Sequence, residues 1–295
     1  MLDWPQTIPS YLHTEEPIIL EGIMNISMMS YTMARGEWGK NHDIEELCKF
    51  TKELGLEGID WVTTYGVDPK EIRRIGDDYG LRTVCYTFFA DINFSEKKDR
   101  QPGIDKIKEG IEFASILGTD KIMLPIGGKD GLSREQSRKN IVTGLKDAVE
   151  IGKEYGVTVT VEHFTDKRGP FITSTDMNEA ISEVPDLRIT YDNGNIFVGG
   201  EDPITGFINS KESIVHAHFK DWALSADGNG LKGFDGRTYV GALVGEGLVD
   251  HKGILKAMKK SNYKGYINFE YEGNKYEPKD ATIRGIKYLR DLIFS

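Results

Sequence analysis

Residues 133–163 read SREQSRKNIVTGLKDAVEIGKEYGVTVTVEH, a helix running directly into a strand. Ser133 stands as N-cap with Gln136 three residues on, the capping-box spacing, and Gly156 marks the stop. The seven residues that follow alternate: Val157, Val159 and Val161 share one face, Thr158, Thr160 and Glu162 the other. An all-valine face suits packing against helices, which turns the threonine and glutamate face toward an interior. That unit, a helix feeding an inward-facing polar strand, sets the reading of everything around it.

The same alternation recurs along the chain. Strands are expected at GIMNISM (22–28), GIDWV (58–62), LRTVCYTFF (81–89) and DKIMLPI (120–126). After VTVTVEH (157–163) come LRITYD (187–192), SIVHAHF (213–219) and GYINFEY (265–271). Between them lie helical patterns such as DIEELCKFTKELG, with Asp43 as cap and Gly55 as stop. DATIRGIKYLRDLIF (280–294) closes the chain with apolar residues at 283, 286, 289 and 293 on one face. Eight strands alternating with helices make an α/β chain with the count of a (β/α)8 TIM barrel, a single domain over residues 19–295. Residues 1–18 lack periodicity and read as an N-terminal extension laid over the outside. The competing open, doubly wound sheet lacks its usual signal: no G-x-G-x-x-G follows the first strand, and PIGGKDG (125–131) lacks the Lys-Ser/Thr ending of a phosphate loop.

Composition narrows the function. The 295 residues carry a formal charge of −10, which argues against phosphate-backbone partners such as nucleic acid. Two cysteines, Cys48 and Cys85, are too few for a disulfide framework or a thiolate metal site. The first residues have no basic-then-apolar leader pattern, and no apolar run approaches the ~20 residues of a spanning helix. The expectation is a soluble cytoplasmic protein with no membrane or nucleic-acid partner.

In a barrel of this kind chemistry sits at the C-terminal ends of the strands. Four consecutive late strands end in ionisable groups: Glu162, Asp192, His218 and Glu270. Parity places Asn268, Glu270 and Glu272 together, opposite Ile267, Phe269 and Tyr271, so Glu270 also faces the lumen. Each carboxylate taken singly is as well explained by a salt bridge or a helix cap. Crowded together in one mouth they repel unless a cation joins them, and oxygen ligands with one imidazole suit one divalent ion: Mn2+ first, or Mg2+, Co2+ or Zn2+. His216 shares the inward face of His218 but lies about 6–7 Å deeper along the strand, and is expected to be a core residue.

The order Glu, Asp, His, Glu on strands five to eight resembles the xylose-isomerase-like superfamily of sugar isomerases and epimerases. VTVEHF, ITYDNGN, HAHFKD and INFEYEG each resemble its metal-ligand segments, and the likeness spans most of residues 20–295. The resemblance implies a metal held by Glu162, Asp192, His218 and Glu270, with Glu162 and Glu270 also acting as acid and base. A metal on a ketone and its neighbouring hydroxyl acidifies the α C–H; one carboxylate removes the proton and the other returns it. The superfamily's substrate-binding offsets fall on Arg168, Asn195 and Leu224; the last departs from the arginine of the ketohexose epimerases. Lys220, sharing parity with His218, is expected to reach the substrate, with Trp61, Trp222 and His163 as further candidates. His251, in VDHKGIL, reads as surface, and the glycine-rich stretch 221–247 as a long loop or lid.

Together these point to a metal-dependent sugar isomerase or epimerase acting on a ketose or keto-polyol, in a homo-oligomer. The alternative is a lyase on the same scaffold, a keto-inositol or keto-sugar dehydratase or a 3-oxo-glycoside deglycosidase. A remote third, an endonuclease IV-like nuclease, would need extra histidines on strands two to four, where there are none.

Overall fold

Eleven strands are formed among residues 24–295, the part of the chain that the computed structural model describes. The expected extension over 1–18 and the first residues of GIMNISM lie outside it. Seven strands follow in order: β1 (Ile26–Met29), β2 (Gly58–Val62), β3 (Arg82–Thr87), β4 (Lys121–Leu124), β5 (Thr158–Glu162), β6 (Arg188–Asp192) and β7 (Ile214–Phe219). β8 (Asp221–Leu224), β9 (Leu231–Lys232) and β10 (Thr238–Ala242) come next, and β11 (Ile267–Phe269) is the last. β1 to β7 and β11 pair in parallel and close into a barrel in the ring order β1-β11-β7-β6-β5-β4-β3-β2. The eight barrel strands are the eight expected ones; β2 has the expected bounds, β1 runs one residue further to Met29, and the others are shorter by a residue or more. No helix among the described residues is long and apolar enough to cross a membrane.

The helices form the outer ring: α1 (Ser30–Ala34), α2 (Ile44–Glu53), α3 (Pro69–Asp78), α4 (Lys97–Leu117) and α5 (Arg134–Tyr155) in the first half. The second half carries α6 (Ser174–Glu183), α7 (Asn193–Val198), α8 (Pro203–Ser210), α9 (His251–Lys260) and α10 (Pro278–Phe294). The Ser133–Gln136 capping box forms at the start of α5, and Gly156 ends it at φ 67°. On α10 the buried stripe runs through Ile286, Leu289 and Ile293, while Ile283 is 46% exposed, off the face the spacing assigned to it.

Alternation along the strands sorts the two layers. Val159, Val161, Ile189, Ala217, Phe219, Ile267 and Phe269 face the helices and are buried in the main core. The inward residues are polar: Ser27 Oγ donates to Asn268 Oδ1 at 3.1 Å, and the Thr160 and Thr190 hydroxyls meet at 2.7 Å. Both pairs join neighbouring strands of the ring, which satisfies these buried groups. The late loop differs from expectation. Its threonine, tyrosine and valine at 238–240 form β10, which pairs antiparallel with β8 and β9 into a small sheet, so the segment is a folded flap.

Candidate active site

β7 carries the site. Its inward residues are His216 and His218, with Lys220 following, and register sets Asp192 of β6 and Asn268 of β11 on either side of His218. Glu162 ends β5, and Glu270 follows β11, where its backbone N–H donates to Phe219 O at 3.0 Å. All four expected ligands are buried. His218 Nδ1 lies 3.4 Å from Glu162 Oε2 and 3.8 Å from Glu270 Oε2. One ligand atom each from Glu162, Asp192 and His218 falls within a mutual 4.8 Å.

Local chemistry explains how Asp192 is held. Its Oδ1 accepts from Gly194 N at 3.0 Å and Asn195 N at 2.7 Å, capping α7. Gly194 is required here, since a Cβ would strike the Lys220 side chain and the Trp222 indole. The helix-cap role and the ligand role therefore divide between two oxygens of one carboxylate. Oδ2 is left to the Lys220 ammonium, 3.0 Å away.

The donor set fits a divalent cation. Asp192 Oδ2, Glu270 Oε2 and both ring nitrogens of His218 are buried and held by ion-pair contacts, the two carboxylates with Lys220 and the imidazole with Asp60 and Glu162. Two carboxylates and an imidazole converge within 4.8 Å, with Glu270 Oε2 beside them 3.8 Å from His218 Nδ1, and such a set supplies the mixed oxygen and nitrogen ligation of Mn2+, Mg2+, Co2+ or Zn2+. In this structure the Lys220 ammonium balances the charge: Nζ lies 3.0 Å from both Asp192 Oδ2 and Glu270 Oε2, and donates to Glu272 Oε1 at 2.8 Å. A second cluster, Asp60, Cys85 and His216, lies one layer down. There the His216 Nε2–H donates to Asp60 Oδ2 at 2.6 Å, which leaves no room for an ion between them.

Burial pushes Asp192 up to about 6, against the pull of Lys220 and with the push of Glu162. Burial opposes a charge on His218, but its contacts with Asp60 and Glu162 outweigh that and raise it to about 10. A cation needs Asp192 ionised and His218 neutral, so binding must expel their protons. Metal affinity is therefore expected to fall as pH falls from 8 to 5, more steeply below about 6 as Asp192 joins the competition. Chelator competition across that range measures it; a flat profile would contradict the ligand assignment.

The remaining expected residues divide. Lys220 and Asn195 line the pocket, as does Trp222. Trp61 does not: Asp60 takes the inward position of β2, so alternation turns Trp61 outward, where it is 2% exposed in the core beside Cys48 and Ile72. Arg168 also lies away from the pocket lining, since it is held in an exposed cluster with Asp130 and Asp166. His163 is fully buried on the outer face of its strand, with Nδ1 accepting from Asp192 N at 3.4 Å, and burial lowers it to about 3. His251 is buried rather than surface, its Nε2 3.2 Å from Lys220 O.

Asp60 was missed. Its Oδ2, shared with His216, also lies 3.5 Å from His218 Nε2, so a carboxylate stands behind the candidate ligand histidine. Burial disfavours its charge, but His216 and His218 outweigh that and hold it below the usual carboxylate range. Such partners fix the orientation of a ligating imidazole. Asp60→Asn is expected to weaken metal binding roughly 10–100-fold, read by titration of the metal-free protein. Unchanged affinity would reduce Asp60 to a packing role.

Above the ligands lies a cavity of about 430 Å³, lined by Glu162, His218, Lys220 and Glu270 below and by side chains such as Met29, Phe89 and Leu231 above. Residues 48–292 match the family model described as xylose isomerase-like TIM barrel. Inosose dehydratase from Lacticaseibacillus casei is 23% identical over 273 residues, covering 86% of this chain and 91% of that protein. Among solved structures, an L-ribulose 3-epimerase superposes with a TM-score of 0.75 at 14% identity, covering 92% of this chain and 95% of its own. The IolI protein with a bound zinc atom superposes at 0.73 and 16% identity, covering 92% and 98%. At these identities the two structures speak for the fold.

Proposed function

The chain belongs to the xylose isomerase-like TIM-barrel family, and from that premise we propose that it is a divalent-metal-dependent carbon–oxygen lyase acting on a polyhydroxylated ketone. The observation that carries the chemistry is the buried set Glu162, Asp192, His218 and Glu270, of which Glu162, His218 and Glu270 line one cavity and Asp192 lies behind them. A divalent ion bound there would polarise the substrate's carbonyl and acidify the adjacent C–H.

The chain's own groups supply the rest. One of the two glutamates, Glu162 or Glu270, accepts the α proton; the electron pair forms a C=C bond as the neighbouring C–O bond breaks. The other glutamate, protonated, gives its proton to the departing oxygen, so water leaves. Lys220, an ammonium raised well above its ordinary value once the attraction of Asp192, Glu270 and Glu272 outweighs burial, donates a hydrogen bond to that oxygen. Asn195, at the pocket wall, holds a hydroxyl.

Sequence alone put isomerisation or epimerisation first. Lys220 inside the ligand cluster and the similarity to a dehydratase support elimination instead. Epimerisation stays as the second reading, favoured by one feature: Glu162 and Glu270 reach His218 from separate strands, a pair able to serve opposite faces of a substrate. Incubation of the metal-loaded protein with keto-inositols and keto-sugars in D2O, read by mass spectrometry, distinguishes them. Loss of water is expected. Deuterium uptake at unchanged formula would overturn the lyase in favour of the epimerase.

A further inference from the structure

The mouth is split along the ring of strands. β5, β6, β7 and β11 are consecutive in the barrel and carry every chelating group described above. β1 to β4 are the other consecutive half, and they line the same cavity with Met29, Val62 and Met123, continued outward by Tyr31, Phe89 and Pro125. Among the strand residues lining that half, only Thr87 offers a hydrogen bond, from a buried hydroxyl with no partner. Across from it the flap contributes Leu231 and the Trp222 indole.

A cyclic polyol carries hydroxyls around its whole rim. Seated in this cavity, those on the β1–β4 side would lose water and meet only the Thr87 and Tyr31 hydroxyls, too few for a rim of hydroxyls. A planar apolar group suffers none of it. Phe89 is 61% exposed at the lip, an aromatic face offered to solvent beside the chelating floor. We infer that the substrate is two-ended: a hydroxy-ketone on the β5–β11 half, and an aromatic or comparably flat apolar substituent lodged against Met29, Val62, Met123 and Phe89. The orientation rests on the proposed metal-dependent reading; the apolar half is a property of the cavity itself.

A pair of small chelators tests the inference without knowledge of the sugar. Hydroxamates grip divalent ions with two oxygens, as a hydroxy-ketone does, so acetohydroxamate and benzohydroxamate differ only in the group sent toward the apolar half. On Mn2+-loaded protein, calorimetry is expected to find benzohydroxamate tighter by roughly tenfold or more. Phe89→Ala, at an exposed position safe for folding, is expected to remove most of that gain while leaving acetohydroxamate unchanged. Val62→Thr, close in size but polar, should erode it from the opposite wall. Equal affinities, or a Phe89→Ala loss shared by both ligands, would overturn the apolar subsite and leave the metal reading standing. Failure of both hydroxamates to bind would overturn the metal reading, and the two-ended substrate with it.

Discussion

Glu162→Gln is expected to lower turnover by roughly 10²–10⁴-fold, the range for removing a group that transfers a proton in the transition state. The exchange keeps the side chain's size and removes its basicity. It also removes the carboxylate 3.4 Å from His218 Nδ1 that favours the charged imidazole, so the metal-free fold is expected to lose some stability as well. Metal content of the variant must be measured beside its rate, since Glu162 serves as both ligand and acid–base group. If the variant is restored to full metal occupancy at high Mn2+, its turnover should stay depressed. Recovery of wild-type turnover on saturation would mean that Glu162 acts only by holding the ion.

Lys220→Met should produce the largest change in stability. Lys220 is 4% exposed and is the ammonium within 3.0 Å of both Asp192 and Glu270. Removing one partner from a buried ionic group costs about 3–5 kcal/mol, because the charges left behind lose both water and counter-ion. The sign of the pH dependence follows. Without the ammonium, the folded carboxylates hold their protons to higher pH than in the unfolded chain. The variant is therefore least impaired at low pH and loses stability as pH rises. Thermal melts of the metal-free variant are expected to fall further below wild type at pH 8 than at pH 5.5, and Mn2+ should recover most of the loss at pH 8. Equal losses at both pH values, unaffected by metal, would show that Lys220 contributes packing alone.

Much of this was legible in the residues, for physical reasons that also explain what was not. β5 is readable because valine and threonine alternate without interruption, and that parity alone places Glu162 in the lumen. The same argument applied to GIDWV would have found Asp60: a lone carboxylate in an apolar strand must face whatever polar interior exists, which sends Trp61 outward. His251 was open to a similar reading, since His251, Ile254, Leu255 and Met258 fall on one helical stripe and all are buried. Arg168 was different. Its offset from Glu162 matches the substrate-binding position that the resemblance implies, but Asp130, distant in sequence, competes for the guanidinium. The flap hid behind its glycines: two-to-five-residue strands separated by Gly-rich turns show little periodicity. The division of the mouth into chelating and apolar halves needs the ring order of the strands, which no single segment carries.

The central claim is that Glu162, Asp192, His218 and Glu270 form one metal centre, with Asp60 and His216 behind it. Metal content of the protein, stripped with a chelator, reloaded with Mn2+ and desalted, tests it most directly. One ion per chain is expected, with none retained after His218→Ala under the same loading. Retention of a full equivalent in His218→Ala would contradict the account, and two equivalents in the wild type would place a second ion in the Asp60, Cys85 and His216 layer that the 2.6 Å hydrogen bond closes off.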